Sequence, residues 1–175
     1  MRILVTGGVR SGKSSHAEAL VGDGPATYVA AGPSPDVETD PDWGARVAAH
    51  RARRPASWKT LETQDLATAI REGIDPVLVD CLGTWLTAVV DEADAWEQDN
   101  DTVHDLVSAR VDEVVETLRD SSLDVVLVTN EVGLGVVPEH RSGRLFRDLL
   151  GTVNQRVAAA CDEVHLVVAG RVLRL

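Results

Sequence analysis

Short uninterrupted apolar runs alternate along this chain with longer stretches in which apolar residues recur every three or four positions. The runs Ile3–Thr6, Thr27–Ala31, Val77–Cys81, Val125–Thr129 and Val164–Val168 read as strands buried on both faces. Val172–Leu175 reads as a last strand, entered through an Ala169-Gly170 turn. Helices are predicted at Ser14–Val21, Asp42–Arg53, Asp65–Glu72, Thr102–Arg119 and Ser142–Ala160. Strand and helix in alternation predict an α/β fold, a mostly parallel sheet covered by helices. Two stretches lie outside the pattern. Gly32–Asp40, rich in Pro, Gly and Asp, predicts an exposed loop, and the acidic segment Asp91–Asp101 around Trp96 predicts a mobile connection.

The first strand leads into Gly7-Gly8-Val9-Arg10-Ser11-Gly12-Lys13-Ser14, which fits G-x-x-x-x-G-K-[ST] at every fixed position. A glycine-rich turn between a strand and a helix start is the context of a phosphate-binding loop. Its glycines let backbone N–H groups approach a polyphosphate, Lys13 reaches the outer phosphates, and the Ser14 hydroxyl is suited to Mg²⁺. The fold class is therefore expected to be P-loop NTPase-like (RecA-like), and the ligand a nucleoside triphosphate.

Length and charge narrow the function. With 175 residues, 44% of them hydrophobic, the chain is long enough for one well-buried core and is expected to form a single domain over residues 1–175. No run is long and apolar enough to span a membrane, so a soluble, cytoplasmic protein is expected. The formal net charge of −11 argues against a nucleic-acid partner. Cys81 and Cys161 are far apart, without metal-ligand or disulfide spacing, and read as small buried residues.

Against this acidity stands a basic island, Arg46, Arg51, Arg53 and Arg54 around His50. It reads either as an anion site or as a solvated helix face paired with carboxylates. In parallel sheets ligands gather beyond the carboxyl ends of the strands, where Asp80 closes Pro76–Asp80. Asp80 suits a magnesium carboxylate beside Ser14, or else a cap on Thr84 or a nearby helix. Glu62 reads as a helix-start charge ahead of Asp65–Glu72.

Several segments together closely resemble one family. They are the Ile-Leu-Val-Thr-Gly-Gly-Val-Arg-Ser-Gly-Lys-Ser start and Arg46-x-x-x-His50-x-x-x-Arg54-Pro55-x-x-Trp58-x-Thr60-x-Glu62. Val126 through Glu139, Phe146-Arg147-Asp148-x-x-Gly151-x-x-Asn154-Gln155 and Ala160-x-Asp162-Glu163-Val164 extend the likeness over nearly the whole chain. The family is the bifunctional adenosylcobinamide kinase/adenosylcobinamide-phosphate guanylyltransferase of cobalamin biosynthesis. The resemblance implies phosphorylation of a corrinoid hydroxyl by ATP or GTP. It then implies transfer of GMP from GTP through a covalent histidine, matching His50, with Lys13 as the other catalytic residue. It further implies nucleotide contacts from Gly7 through Ser14, from Ala30, Ala31 and Gly32, from Arg51, Ala52, Arg53 and Arg54, and from Glu62 and Asp80. Mg²⁺ would lie on Ser14 and Asp80. The partners implied are adenosylcobinamide and its phosphate, and the assembly implied is a homo-oligomer, a homotrimer. Trp43, Trp58, Trp85 and Trp96 read either as interface anchors, where tryptophan is enriched, or as core packing. The competing reading is a single-function small-molecule kinase, which needs the phosphate loop and Asp80 but not the basic island.

Overall fold

The computed structural model describes residues 1–32 and 41–175, the side chains at 41–43, 46 and 50 excepted. The elements run β1 (Arg2–Thr6), α1 (Lys13–Val21), β2 (Ala26–Ala30), α2 (Pro41–Arg53), β3 (Trp58–Glu62), α3 (Leu66–Arg71) and β4 (Val77–Asp80). They continue as α4 (Leu82–Glu92), α5 (Asn100–Asp120), β5 (Val125–Val128), α6 (Arg141–Ala158), β6 (Glu163–Val168) and β7 (Arg171–Arg174). All seven described strands join one sheet in the order β3-β2-β4-β5-β1-β6-β7. Every pairing is parallel except β6 with β7, whose Ala169-Gly170 turn is short enough for a hairpin.

Alternation along the strands divides the core into two layers. Ile3, Val5, Tyr28, Leu78, Val126 and Val128 face one side, where Ala17, Leu20 and Val21 of α1 cover them. Leu4, Val29, Val77, Val79, Val125 and Leu127 face the other, beneath α3, α4, α5 and α6. Truncating a fully buried member such as Leu127 to alanine costs about 2–5 kcal/mol. Trp58 and Trp85 belong to these layers and are buried within the chain itself. They are thus core residues rather than interface anchors; the Trp43 side chain lies outside the described residues.

Three sequence expectations need correction. β3 and α4 were not predicted. The segment after α4 is no loose connection: Trp96 Nε1 donates to Asp91 Oδ1 at 2.5 Å, and Arg141 donates to the Trp96 and Gln98 carbonyls and to Asn100 Oδ1 at 2.9 Å. Asp99 then caps α5 by accepting from the Thr102 N–H. Of the loop expected at Gly32–Asp40, only Gly32 falls within the described residues.

Polar contacts fasten β6 and the residue before it to β1 and to α1. Asp162, just before β6, accepts from the Arg2 backbone N–H at 2.7 Å and from its guanidinium at 2.6 Å, which holds the carboxyl down at about 2. Behind the phosphate loop, His16 Nε2 and His165 Nδ1 lie 2.9 Å apart, and His165 Nε2 lies 2.7 Å from Glu163 Oε2. Because the carboxylate can only accept, the His165 Nε2–H donates to it; with a neutral His165 ring, Nδ1 then accepts from the His16 Nε2–H. His165 is only 1% exposed, so this chain of bonds is an internal tie between α1 and β6.

Candidate functional site

The turn between β1 and α1 has the shape a polyphosphate requires. Gly7 has φ +156°, and a Cβ there would stand 2.4 Å from the Val167 carbonyl oxygen of β6, so no other residue fits. Gly12 has φ +98° and is the N-cap of α1, with no side chain capping the helix. The first backbone N–H groups of α1 are therefore left to an anion, at the positive end of the helix dipole. Outside braces fix the turn: Gly170 N–H donates to the Ser11 carbonyl at 2.8 Å, and Glu131 N–H to the Gly7 carbonyl at 3.1 Å. Lys13 Nζ folds back onto the Gly8 carbonyl at 3.3 Å.

This turn forms one wall of a cavity of about 630 Å³, a volume ordinary for a small-molecule site. Sheet register builds the floor. Glu62, Ala30 and Asp80 are consecutive partners across β3, β2 and β4, so two carboxylates flank one methyl group at the carboxyl ends of the strands. One row earlier, Thr60, Tyr28 and Leu78 are partners in the same way. Tyr28 is 3% exposed, and its hydroxyl donates to Asp80 Oδ2 at 3.2 Å. Burial, and then the Asp80 charge, push the phenol's pKa far up, so it stays a donor.

The end of α2 supplies the opposite wall and its positive charge. The Arg54 guanidinium carbon lies 3.2 Å from the centre of the Tyr28 ring, and Arg54 Nη1 donates to Thr60 Oγ1 at 3.0 Å. Arg51 pairs with Glu62, and Arg53 with Glu18 of α1 at 3.2 Å. The basic island thus meets both readings at once: Arg51 and Arg53 have carboxylate partners, and Arg51, Arg53 and Arg54 all line the cavity. Among the described residues, the buried atoms Ser11 Oγ and Arg54 Nε have no hydrogen-bond partner. Both residues line the cavity, so a bound anion can satisfy them.

Placed against the sequence expectations, Val9 through Ser14, Ala30, Gly32, Glu62 and Asp80 also line this cavity. Gly7 and Gly8 contribute backbone behind it. Ala31 instead packs into the core beneath α3–α6, and Ala52 is exposed; neither is on the lining. Glu62 ends β3 and does not start a helix; that position belongs to Asp65, which accepts from Thr68 N–H at 2.9 Å. The capping position of α4 is occupied by Cys81, whose N–H donates to Thr84 Oγ1 at 3.5 Å. His50 lies in α2, but its side chain, like that of Arg46, lies outside the described residues. Burial raises both cysteine thiols, Cys161 to about 12, which keeps them protonated and unreactive.

Tyr28, Thr84 and Asn130 line the cavity without having been singled out. Tyr28 alone carried a signal: it is the chain's one tyrosine, with a hydroxyl needing a partner inside an apolar strand.

The family model for cobinamide kinase / cobinamide phosphate guanyltransferase matches residues 3–175. The bifunctional adenosylcobalamin biosynthesis protein CobU of Salmonella typhimurium (strain LT2) is 43% identical, with 97% of each chain covered. The protein of the same name from Escherichia coli (strain K12) is 42% identical over the same share of both chains. The bifunctional adenosylcobalamin biosynthesis protein CobP of Pseudomonas aeruginosa (strain PAO1) is 38% identical, covering 97% of this chain and 94% of the relative.

Proposed function

The chain belongs to the cobinamide kinase / cobinamide phosphate guanyltransferase family, and we propose that the cavity beside its phosphate loop serves both reactions in turn. It is a bifunctional enzyme of cobalamin biosynthesis. In the kinase reaction the hydroxyl of the aminopropanol arm of adenosylcobinamide attacks the γ-phosphorus of ATP or GTP and gives up its proton to solvent. The bond to the β-phosphate oxygen breaks, and the nucleoside diphosphate leaves. In the second reaction an imidazole nitrogen of His50 attacks the α-phosphorus of GTP, expelling pyrophosphate and forming a P–N bond. An oxygen of the cobinamide phosphate then attacks the same phosphorus, the P–N bond breaks, and adenosylcobinamide-GDP leaves with the histidine restored.

The observation that carries this reading is convergence. The phosphate loop, the arginines of α2 and the strand-end pair Glu62 and Asp80 open onto one space. Lys13 and the uncapped start of α1 suit the β- and γ-phosphates. Arg51, Arg53 and Arg54 suit charge developing on the transferred group. Glu62 suits guanine, since a carboxylate accepts from both N1 and N2. Ser14 and Asp80 give oxygen donors of the hard kind Mg²⁺ takes; the ion would supply charge neutralisation at the phosphates. The same reading takes residues 1–175 as a single catalytic domain acting in the cytoplasm as a homotrimer. Among the described residues no helix is long and apolar enough to cross a membrane.

Incubation with GTP labelled at the α-phosphate and Mg²⁺ tests the covalent step by intact mass and radiolabel. GMP is expected on His50 through a bond that acid cleaves and alkali spares. His50→Ala is expected to lose labelling and guanylyl transfer while keeping most of the kinase turnover, which uses no protein nucleophile. Label retained by the alanine variant, or a wild-type adduct stable to acid, returns the chain to a kinase with a different transfer mechanism.

A further inference from the structure

Tyr28 touches two functional groups with two different parts of one side chain. Its place follows from register. Tyr28 and Ala30 share a face of β2, and Ala30 is the partner of Asp80, so the phenol reaches one row diagonally to the carboxylate. On its other flank the partner of Tyr28 is Thr60, and Arg54 both bonds Thr60 Oγ1 and lies over the Tyr28 ring. A leucine or phenylalanine would fill the same space in the layer beneath α1. Neither could hold Asp80, and a leucine could not attract the guanidinium face.

We infer that Tyr28 is a positioning residue for both half-reactions, its hydroxyl orienting Asp80 toward the metal and phosphates and its ring fixing Arg54 over the nucleotide. The inference rests on the roles proposed above for Asp80 and Arg54. The hydroxyl spends its proton on Oδ2, which limits rotation of the carboxylate about its own axis. The ring acts on a different group: Arg54 lies across it with Nε buried and unpartnered among the described residues, an orientation the Thr60 bond alone does not fix. One aromatic side chain thereby sets the spacing between a carboxylate on β4 and a cation at the end of α2.

Calorimetric titration with GTP, with and without Mg²⁺, separates the two handles and does not depend on turnover. In Tyr28→Phe the gain in GTP affinity brought by Mg²⁺ is expected to shrink by about tenfold, with Mg²⁺-free binding unchanged. In Tyr28→Leu the Mg²⁺-free affinity is expected to fall as well. Each loss is expected to vanish when the partner is already removed, so that Tyr28→Phe adds nothing to Asp80→Asn, and Tyr28→Leu adds nothing to Mg²⁺-free binding in Arg54→Ala. Thermal unfolding of Tyr28→Phe near the wild-type temperature excludes a merely structural effect. Additive losses, or an unchanged Mg²⁺ response in Tyr28→Phe, overturn the positioning role. If Asp80→Asn alone leaves the Mg²⁺ response intact, the metal role of Asp80 fails and takes the hydroxyl half of the inference with it; the ring half is decided by Arg54→Ala.

Discussion

At the scale of single residues, Lys13 makes the sharpest demand on the idea of one shared site. Its ammonium is the cation of the phosphate loop, now folded onto the Gly8 carbonyl, and a triphosphate offers it a stronger acceptor. Lys13→Ala is expected to lower kinase and guanylyl-transfer turnover together, each on the order of a hundredfold. Assaying the half-reactions separately checks this, and survival of either at the wild-type rate reveals a second triphosphate site. Residue chemistry of this kind was legible in the sequence because it is local. Eight consecutive positions specify the loop, and the Gly7 contact with β6 explains its first glycine. Tyr28 was not legible as a site residue. Its role comes from lying beside Asp80 and beneath Arg54, residues 52 and 26 positions away, and nothing in the strand Ala26–Ala30 announces either neighbour.

At the scale of elements, the two that escaped prediction did so for opposite reasons. β3 is an edge strand, Trp-Lys-Thr-Leu-Glu, with only Trp58 buried, so it shows neither a continuous apolar run nor a clean alternation. α4 is the reverse: Leu82, Gly83, Trp85, Leu86, Ala88, Val89 and Val90 are buried on nearly all sides, which erases the polar stripe that marks a surface helix. The tie between α1 and β6 is a tertiary feature of the same sort, joining His16 to His165, and it makes the helix that carries the phosphate loop sensitive to acid. Burial, then the nearby His165 and Arg174, lower the pKa of His16 below the ordinary 6.5, and the bond from His165 lowers that of Glu163 below 4.5. Both groups bind protons more weakly in the folded chain than in the unfolded one. The contribution of His16 is therefore complete above pH 6.5 and is lost as pH falls below that value, while that of Glu163 is complete above pH 4.5 and is lost only below it. His16→Gln keeps an N–H donor for His165 Nδ1 without a titrating group. Melting curves at pH 7.5 and pH 5.5 should show the variant losing less stability than the wild type, by a difference on the order of a few degrees. Parallel losses in the two proteins remove His16 from the acid response.

At the scale of the whole molecule, charge and apolar surface are distributed unevenly, and both patterns bear on assembly. A chain of net charge −11 gathers Arg10, Lys13, Arg51, Arg53 and Arg54 around one cavity, which concentrates positive potential where an anionic nucleotide would enter and leaves the remaining surface acidic. Acidic surfaces repel their own copies, so self-association needs an apolar patch. The segment after β5 supplies one: Leu134, Val136 and Val137 are 88%, 93% and 65% exposed. Its backbone is not loose. Arg147 donates to the Gly133 and Gly135 carbonyls at 2.7 and 3.0 Å, and Arg144 donates to those of Pro138 and Glu139 at 3.1 and 2.5 Å. Two arginines of α6 thus spend their hydrogen bonds on presenting apolar side chains to water, an arrangement that lowers the ordering cost of docking them against another copy. If the proposed homotrimer is correct, light scattering should give a mass about three times 18.7 kDa. Replacing Leu134 and Val136 together with glutamate should then shift that mass toward the single chain at micromolar concentration, because charges would be buried without partners. A wild-type protein that scatters as one chain removes the trimer. An oligomer that survives the double replacement moves its interface elsewhere, with the exposed strand β7, carrying Val172 and Leu173, as the next surface to change.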